Sequence, residues 1–160
     1  MPIQQENLSE DLIWEVVRHR NAYLVKRSQA GGVQFSRDPL NLVNKHSRKH
    51  AGFVNAKAIG INADSNTIAM TTKTASNANK PAKSTHSSSF SASTPSRKIY
   101  KNVVSSTAKK GYRSDLRAEA VARASAVKQS QRETGKGPQK TRELKLRGAK
   151  ARKAAEAGDA

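Results

Sequence analysis

The chain has 160 residues, with 30 Lys and Arg against 12 Asp and Glu, and its net charge of +18 opposes compaction while drawing in a polyanion. No cysteine is present, which excludes a disulfide scaffold, a thiolate zinc site and thiol catalysis, and fits a reducing compartment. Hydrophobic residues make up 35%, much of it Ala, and no apolar run approaches the ~20 residues of a membrane span, so the expectation is a soluble intracellular protein with a modest core and no membrane partner.

The N-terminus is acidic, with Glu6, Glu10, Asp11 and Glu15 and no basic residue in the first fifteen, and it lacks the apolar stretch of a signal peptide. The sequon Asn7-Leu8-Ser9 is accordingly expected to go unused. Residues 7–20 read as a short helix. Asn7 is its cap with Glu10 three residues on, and Leu8, Leu12, Ile13, Val16 and Val17 form an apolar stripe with Trp14 at the edge as a packing anchor. Arg18 and Arg20 leave from the last turn, where cations suit the helix dipole.

The run 21–27, dense in β-formers and closed by Ala30-Gly31-Gly32, reads as a strand. From Phe35 to Phe53 the pattern is irregular, broken at Asp38-Pro39 and carrying the basic cluster His46-Ser47-Arg48-Lys49-His50. Two histidines four apart can share a helical face, but no acidic third ligand is near, so a solvated or phosphate-facing loop is expected there instead of a metal site. Residues 57–62 and 67–72 alternate at strand period around Asp64-Ser65-Asn66, which predicts a hairpin. Joined to the first strand, this hairpin makes a small antiparallel sheet, and the N-terminal helix is expected to pack on its apolar face as the core.

Residues 75–96 form a Ser/Thr/Ala/Asn/Lys mixture with almost nothing to bury, which predicts a flexible loop. A helix follows, with Thr94 as cap, Pro95 at its first position, Ile99, Tyr100, Val103, Val104 and Thr107 on one side, and a stop at Gly111. The stretch 112–132 reads as a second helix capped by Ser114, with Asp115 and Glu119 early. Its alanines permit close approach, and Leu116, Ala120, Ala124 and Val127 share one narrow apolar face. Beyond Arg132, Gly135, Gly137 and Pro138 lead into a basic tail with only Leu144 and Leu146 as bulky apolar groups, expected to order on a partner. The fold class is therefore α+β: a small antiparallel sheet packed with an N-terminal helix, then two basic helices and an extended basic C-terminal tail. The divisions are 1–74, 75–96, 97–132 and 133–160.

Charge distribution points to function. From Arg97 to Lys153 there are 18 basic and 4 acidic residues, so most of the excess lies in the last third. The candidate phosphate contacts are Lys109, Lys110, Arg113, Arg117, Arg123, Lys128 and Arg132, joined by Arg18, Arg20, Lys26, Arg27, Arg48 and Lys49, and by Lys140, Arg142, Lys145 and Arg147 from the tail. An enzyme finds little support. Gly135-Lys136-Gly137-Pro138-Gln139-Lys140-Thr141 lacks the glycine before the lysine and the preceding strand of a phosphate loop, and His19, His46, His50 and His86 have no carboxylate spaced to orient them as a base. No catalytic residue, metal, cofactor or small-molecule substrate is expected. A DNA-compacting chromatin protein is the rival reading on charge alone.

DLIWEVVRHRNAYLVKR, from Asp11, and YRSDLRAEAVARASAVKQSQR, from Tyr112, resemble the two most recognisable blocks of the eukaryote-specific large-subunit ribosomal protein twenty-eight family. The resemblance rests on Trp14, Val16-Val17-Arg18, Lys26-Arg27, Tyr112-Arg113-Ser114-Asp115-Leu116-Arg117 and Arg123-Ala124-Ser125, in the family's order. It implies a structural component of the cytoplasmic large ribosomal subunit, without enzymatic activity, whose partners are rRNA and neighbouring ribosomal proteins and which passes through the nucleolus during assembly. A ribosome-assembly factor family is similar in its N-terminal domain, but such factors usually carry Cys-containing and long acidic regions. The Ser-rich stretch 85–96 departs from the family, which is more basic there.

Overall fold

The computed structural model describes residues 8–29, 31–65, 67–78, 80–91, 93–134 and 148–149, apart from the side chains of Pro81 and of 132–134. In chain order the elements are α1 (Glu10–Val17), β1 (Leu24–Lys26), β2 (Gln34–Ser36), β3 (Ile59–Asp64), β4 (Thr67–Lys73), β5 (Thr85–Ser91), α2 (Ser96–Ser106) and α3 (Arg117–Thr134). The α+β class holds, with the strands divided between two antiparallel sheets, β1-β2 and β3-β4-β5.

The expected hairpin forms the centre. Ile61 pairs with Met70 and Ala63 with Ile68, so the apolar side of the strand period falls on one face. That face holds Ile59, Ile61, Ile68 and Met70, all at most 3% exposed. What covers it is not the N-terminal helix, as the sequence pattern suggested, but α2 and α3, which add Ile99, Val103, Leu116, Ala120, Ala124 and Val127 to the same cluster. Ala120 and Ala124 are 1% and 0% exposed, so the alanines serve as the close-packing face of α3. Near β3's outer side, a Cβ at Gly60 would stand 2.5 Å from the Pro39 carbonyl oxygen, which explains a glycine within this strand.

The largest correction concerns residues 75–96. Thr85–Ser91 is a strand, paired in full register with β4 from Thr67↔Ser91 to Lys73↔Thr85, and not a flexible loop. Only Ser88 and Phe90 along it are half-buried, the others exposed, and Phe90 pairs with Ile68 and packs on the core. One anchor and a ready hydrogen-bonding edge suffice where composition offered no alternation.

Helix boundaries shift for local reasons. Ser9, not Asn7, caps α1 by accepting from the Leu12 N–H at 3.2 Å, and the helix ends at Val17, short of Arg20; Asn7 lies outside the described residues. Its expected apolar stripe is divided: Leu12 and Val16 face outward, 54% and 74% exposed, while Ile13 is half-buried and packs with the buried Trp14 on Ala51 and Val54 in a satellite cluster. The first strand is only Leu24–Lys26, and it pairs with the unforeseen β2 instead of with the central hairpin. In α2 the cap is Pro95 and not Thr94, and the helix stops at Ser106, followed by a 3-10 turn over Ala108–Lys110 and a left-handed Gly111. Ser114 does not cap α3. It opens a second 3-10 turn, Ser114–Leu116, entered from Arg113 in a left-handed conformation at φ 47°.

Candidate nucleic-acid interface

The cations divide into two groups, and the acidic residues decide which is which. Arg48, in the 3-10 turn Arg48–His50, donates from Nε to Asp11 at 2.8 Å, from Nη2 to Glu10 at 3.0 Å and from Nη1 to the Asn55 side-chain oxygen. Glu10 accepts as well from the Ala56 N–H at 2.7 Å. Asn55 donates in turn to the Ala51 carbonyl at 2.8 Å, so the acidic start of α1 is tied to the 48–56 loop. Lys49 donates to Glu119 at 2.9 Å, and that hydrogen bond holds the Glu119 carboxyl below its ordinary range.

Arg113 is used still more completely. Its Nε and Nη2 clasp the two Asp115 oxygens at 2.9 Å each, and its nitrogens donate to the carbonyls of Lys57 and Lys49 at 2.9 Å each. These four bonds hold a residue in left-handed backbone, and the two to Asp115 keep its carboxyl below its usual value. Arg123 donates to the Ile61 carbonyl at 3.1 Å, and Arg18 pairs with Glu15 at 3.3 Å. Lys128, expected on a basic face, is 5% exposed. Among the predicted contacts, then, Arg48, Lys49, Arg113 and Arg123 join parts of the chain to one another.

Next to this knot, the Tyr112 hydroxyl accepts from the Ala58 and Lys73 N–H groups at 3.1 Å each and donates to the Lys73 carbonyl at 2.6 Å, closing the open end of the β3–β4 hairpin. Burial pushes this phenol up. Burial likewise lowers the Lys73 ammonium, which donates to the Gly52 and Asn55 carbonyls at 3.1 and 2.9 Å. The two histidines do not form a ligand pair. His46 Nε2 lies 2.7 Å from the Arg18 carbonyl with its ring 4.9 Å from that of Trp14, whereas His50 meets the Ser47 hydroxyl at 2.8 Å and points Nε2 toward Glu119 at 3.9 Å.

The second group is exposed and its side chains have no ion pair or hydrogen bond with any described residue. It comprises Arg20, Lys26, Arg27, Lys109, Lys110 and Arg117 among the predicted contacts, together with Arg97, Lys98 and Lys101 on α2 and with Arg37, Lys45, Lys57, Lys80 and Lys83 elsewhere, none of them among the predicted contacts. The three on α2 flank the buried Ile99 and Val103, and tracking charge around that helix as carefully as apolar positions finds them. The structure brings Lys101, Lys109 and Arg117 together around one open groove of about 760 Å³ between α2 and the start of α3. Lys110 borders a smaller one, about 300 Å³, beside Met70 and Phe90. Lys140, Arg142, Lys145, Arg147 and the Arg132 side chain lie outside what the structure describes.

Residues 12–130, spanning α1 to near the end of α3, match the Ribosomal L28e protein family. The chain belongs to that family. The large ribosomal subunit protein eL28 of Schizosaccharomyces pombe is 44% identical over 128 residues, covering 79% of this chain and 95% of the relative. Proteins of the same name from Dictyostelium discoideum and Trypanosoma cruzi are 30% identical over 129 residues (81% and 93% covered) and 38% over 73 residues (46% and 48% covered). The L28e match bears out the resemblance that the Trp14 and Tyr112 blocks carried, and it stops at residue 130, before the basic tail.

Proposed function

We propose that this L28e chain is a structural component of the cytoplasmic large ribosomal subunit, holding rRNA by its phosphates beside neighbouring ribosomal proteins, without catalysis or a small-molecule substrate. The observation that carries the reading is a relative named as a large-subunit protein and 44% identical across 95% of its length. The exposed cations of the α2–α3 corner support the manner of binding. Each that neutralises a phosphate releases a condensed counterion, so affinity falls with salt at a log–log slope of roughly −0.7 to −0.9 per contact. Because α2 and α3 are fixed on the sheet, their cations match a particular shape of RNA and not a sequence. Tail residues Lys140, Arg142, Lys145 and Arg147 extend the contact, and assembly takes the protein through the nucleolus.

Sedimentation of the tagged chain through a gradient of cell extract tests this. The expected result is co-migration with the large subunit at moderate ionic strength and release at high salt. Migration with chromatin, or with pre-ribosomal particles alone, would favour the DNA-compacting or assembly-factor reading instead.

A further inference from the structure

The groove between α2 and α3 is chemically split in a way that plain phosphate binding does not require. Tyr100, Val104 and Val121 give it an apolar floor, while Lys101, Lys109 and Arg117 stand on its rim. A surface that only meets phosphates needs cations and no apolar recess. Here about 760 Å³ of open space adjoins a half-buried tyrosine, within the range of ordinary ligand sites. The one carboxylate among the described residues lining the groove, Asp115, is clasped by Arg113, so the lining keeps its positive sign. Ser114 is exposed there, and its hydroxyl bonds to no described residue.

An occupant that uses both parts of this lining joins an apolar face to anionic groups. An unstacked nucleotide has that form: a π-face for the aromatic ring, and flanking phosphates within reach of long cationic side chains. We propose that the α2–α3 groove receives a single extruded nucleobase of RNA against Tyr100, with its adjoining phosphates held by Lys101, Lys109 and Arg117 and a sugar or base edge met by Ser114. This rests on the RNA-binding reading above and deepens it, by distinguishing a bulged or looped RNA from a perfect duplex. An acidic peptide helix would also find cations here, but it brings no flat group for the recess and leaves the aromatic floor unexplained.

The test compares the full chain on two RNA hairpins of equal length, one fully paired and one with a single-nucleotide bulge carrying 2-aminopurine. The bulged hairpin should bind roughly tenfold tighter, in keeping with one base–aromatic stack, and its fluorescence should be quenched on binding. Tyr100→Leu keeps an apolar side chain against the core while removing the π-face, and thermal melting verifies that it folds. It should abolish both the preference and the quenching while leaving affinity for the paired hairpin unchanged. Equal binding of the two hairpins by the wild-type chain, or unaltered preference in folded Tyr100→Leu, overturns the groove assignment and leaves RNA binding standing. Failure of the wild-type chain to bind either hairpin at 0.1 M salt removes the RNA reading itself. Displacement of the bulged hairpin by an acidic leucine-bearing peptide at lower concentration than by the paired hairpin also overturns it, in favour of a protein occupant.

Discussion

Arg48, Lys49 and Arg113 on one hand, and Lys101, Lys109 and Arg117 on the other, come from the same strongly basic chain but live in opposite surroundings. The first three meet Glu10, Asp11, Glu119 and Asp115 at 2.8 to 3.0 Å, and Arg113 donates besides to the carbonyls of Lys57 and Lys49. The second three line a groove whose only acid among the described residues, Asp115, is already engaged by Arg113. Net charge thus says that a polyanion is welcome, but the placement of a few carboxylates decides which cations remain to greet it. It also gives the acidic N-terminus a purpose: Glu10 and Asp11 are internal counterions of Arg48, fastening α1 to the 48–56 loop.

Removing the presented set should have the largest effect. With Lys101, Lys109 and Arg117 all changed to Gln, RNA affinity at 0.1 M salt is expected to fall roughly a hundredfold, with melting temperature unchanged, as filter binding and calorimetry would show. A large loss of stability in this triple variant would break the comparison. Cutting the knot should do the reverse. Arg48→Ala removes the guanidinium from Glu10, which keeps only the Ala56 N–H, and the donor from the Asn55 side-chain oxygen, and should cost about 2 kcal/mol in denaturant unfolding, with RNA affinity of the folded fraction unaltered. Tyr112→Phe removes the hydroxyl closing the β3–β4 hairpin and should cost about 1 to 2 kcal/mol by the same measurement.

The smallest expected effect is one of pH. His50 titrates below its ordinary 6.5, because burial and the adjacent Lys49 disfavour the charged ring despite Glu119. The unfolded chain therefore takes up that proton at higher pH than the folded one. His50's contribution is full above about pH 6.5 and is lost as pH falls through its lowered value. Asp115 and Glu119, both lowered, contribute fully above about 4.5 and lose that contribution in a second step as pH falls. Melting followed from pH 7.5 to 3.5 should show both phases, and His50→Gln should flatten the upper one and only slightly reduce the lower, to which the His50 charge contributes least among the causes at Glu119.

Much of the central architecture was legible in the sequence. The period of two in 57–72 and the Leu116, Ala120, Ala124, Val127 face of α3 are local patterns, and the structure packs them together. What was not legible depends on partners distant in the chain. The strand at 85–91 has one apolar side chain that packs, and its conformation comes from the edge of β4. The outward turn of Leu12 and Val16 follows from Trp14 and Glu10 claiming the inner face of α1, a competition that helical periodicity does not reveal. At the proposed interface, the sequence points to the basic corner near Lys109 and Arg117 together with Arg48, Lys49, Arg113 and Arg123, whose side chains the structure bonds within the chain. Their distinction rests on carboxylates and carbonyls up to 70 residues away.

The most direct measurement is the salt dependence of RNA binding for the wild-type chain and two variants, one with Lys101, Lys109 and Arg117 changed to Gln and one with Arg48 and Arg123 changed to Gln. The first variant should lower the log–log slope by about 2 to 3 while the second keeps the wild-type slope, provided both are fully folded. Equal slopes for the first variant and wild type, or an equal reduction in both variants, would contradict the division of cations into those that bind the chain to itself and those offered to RNA.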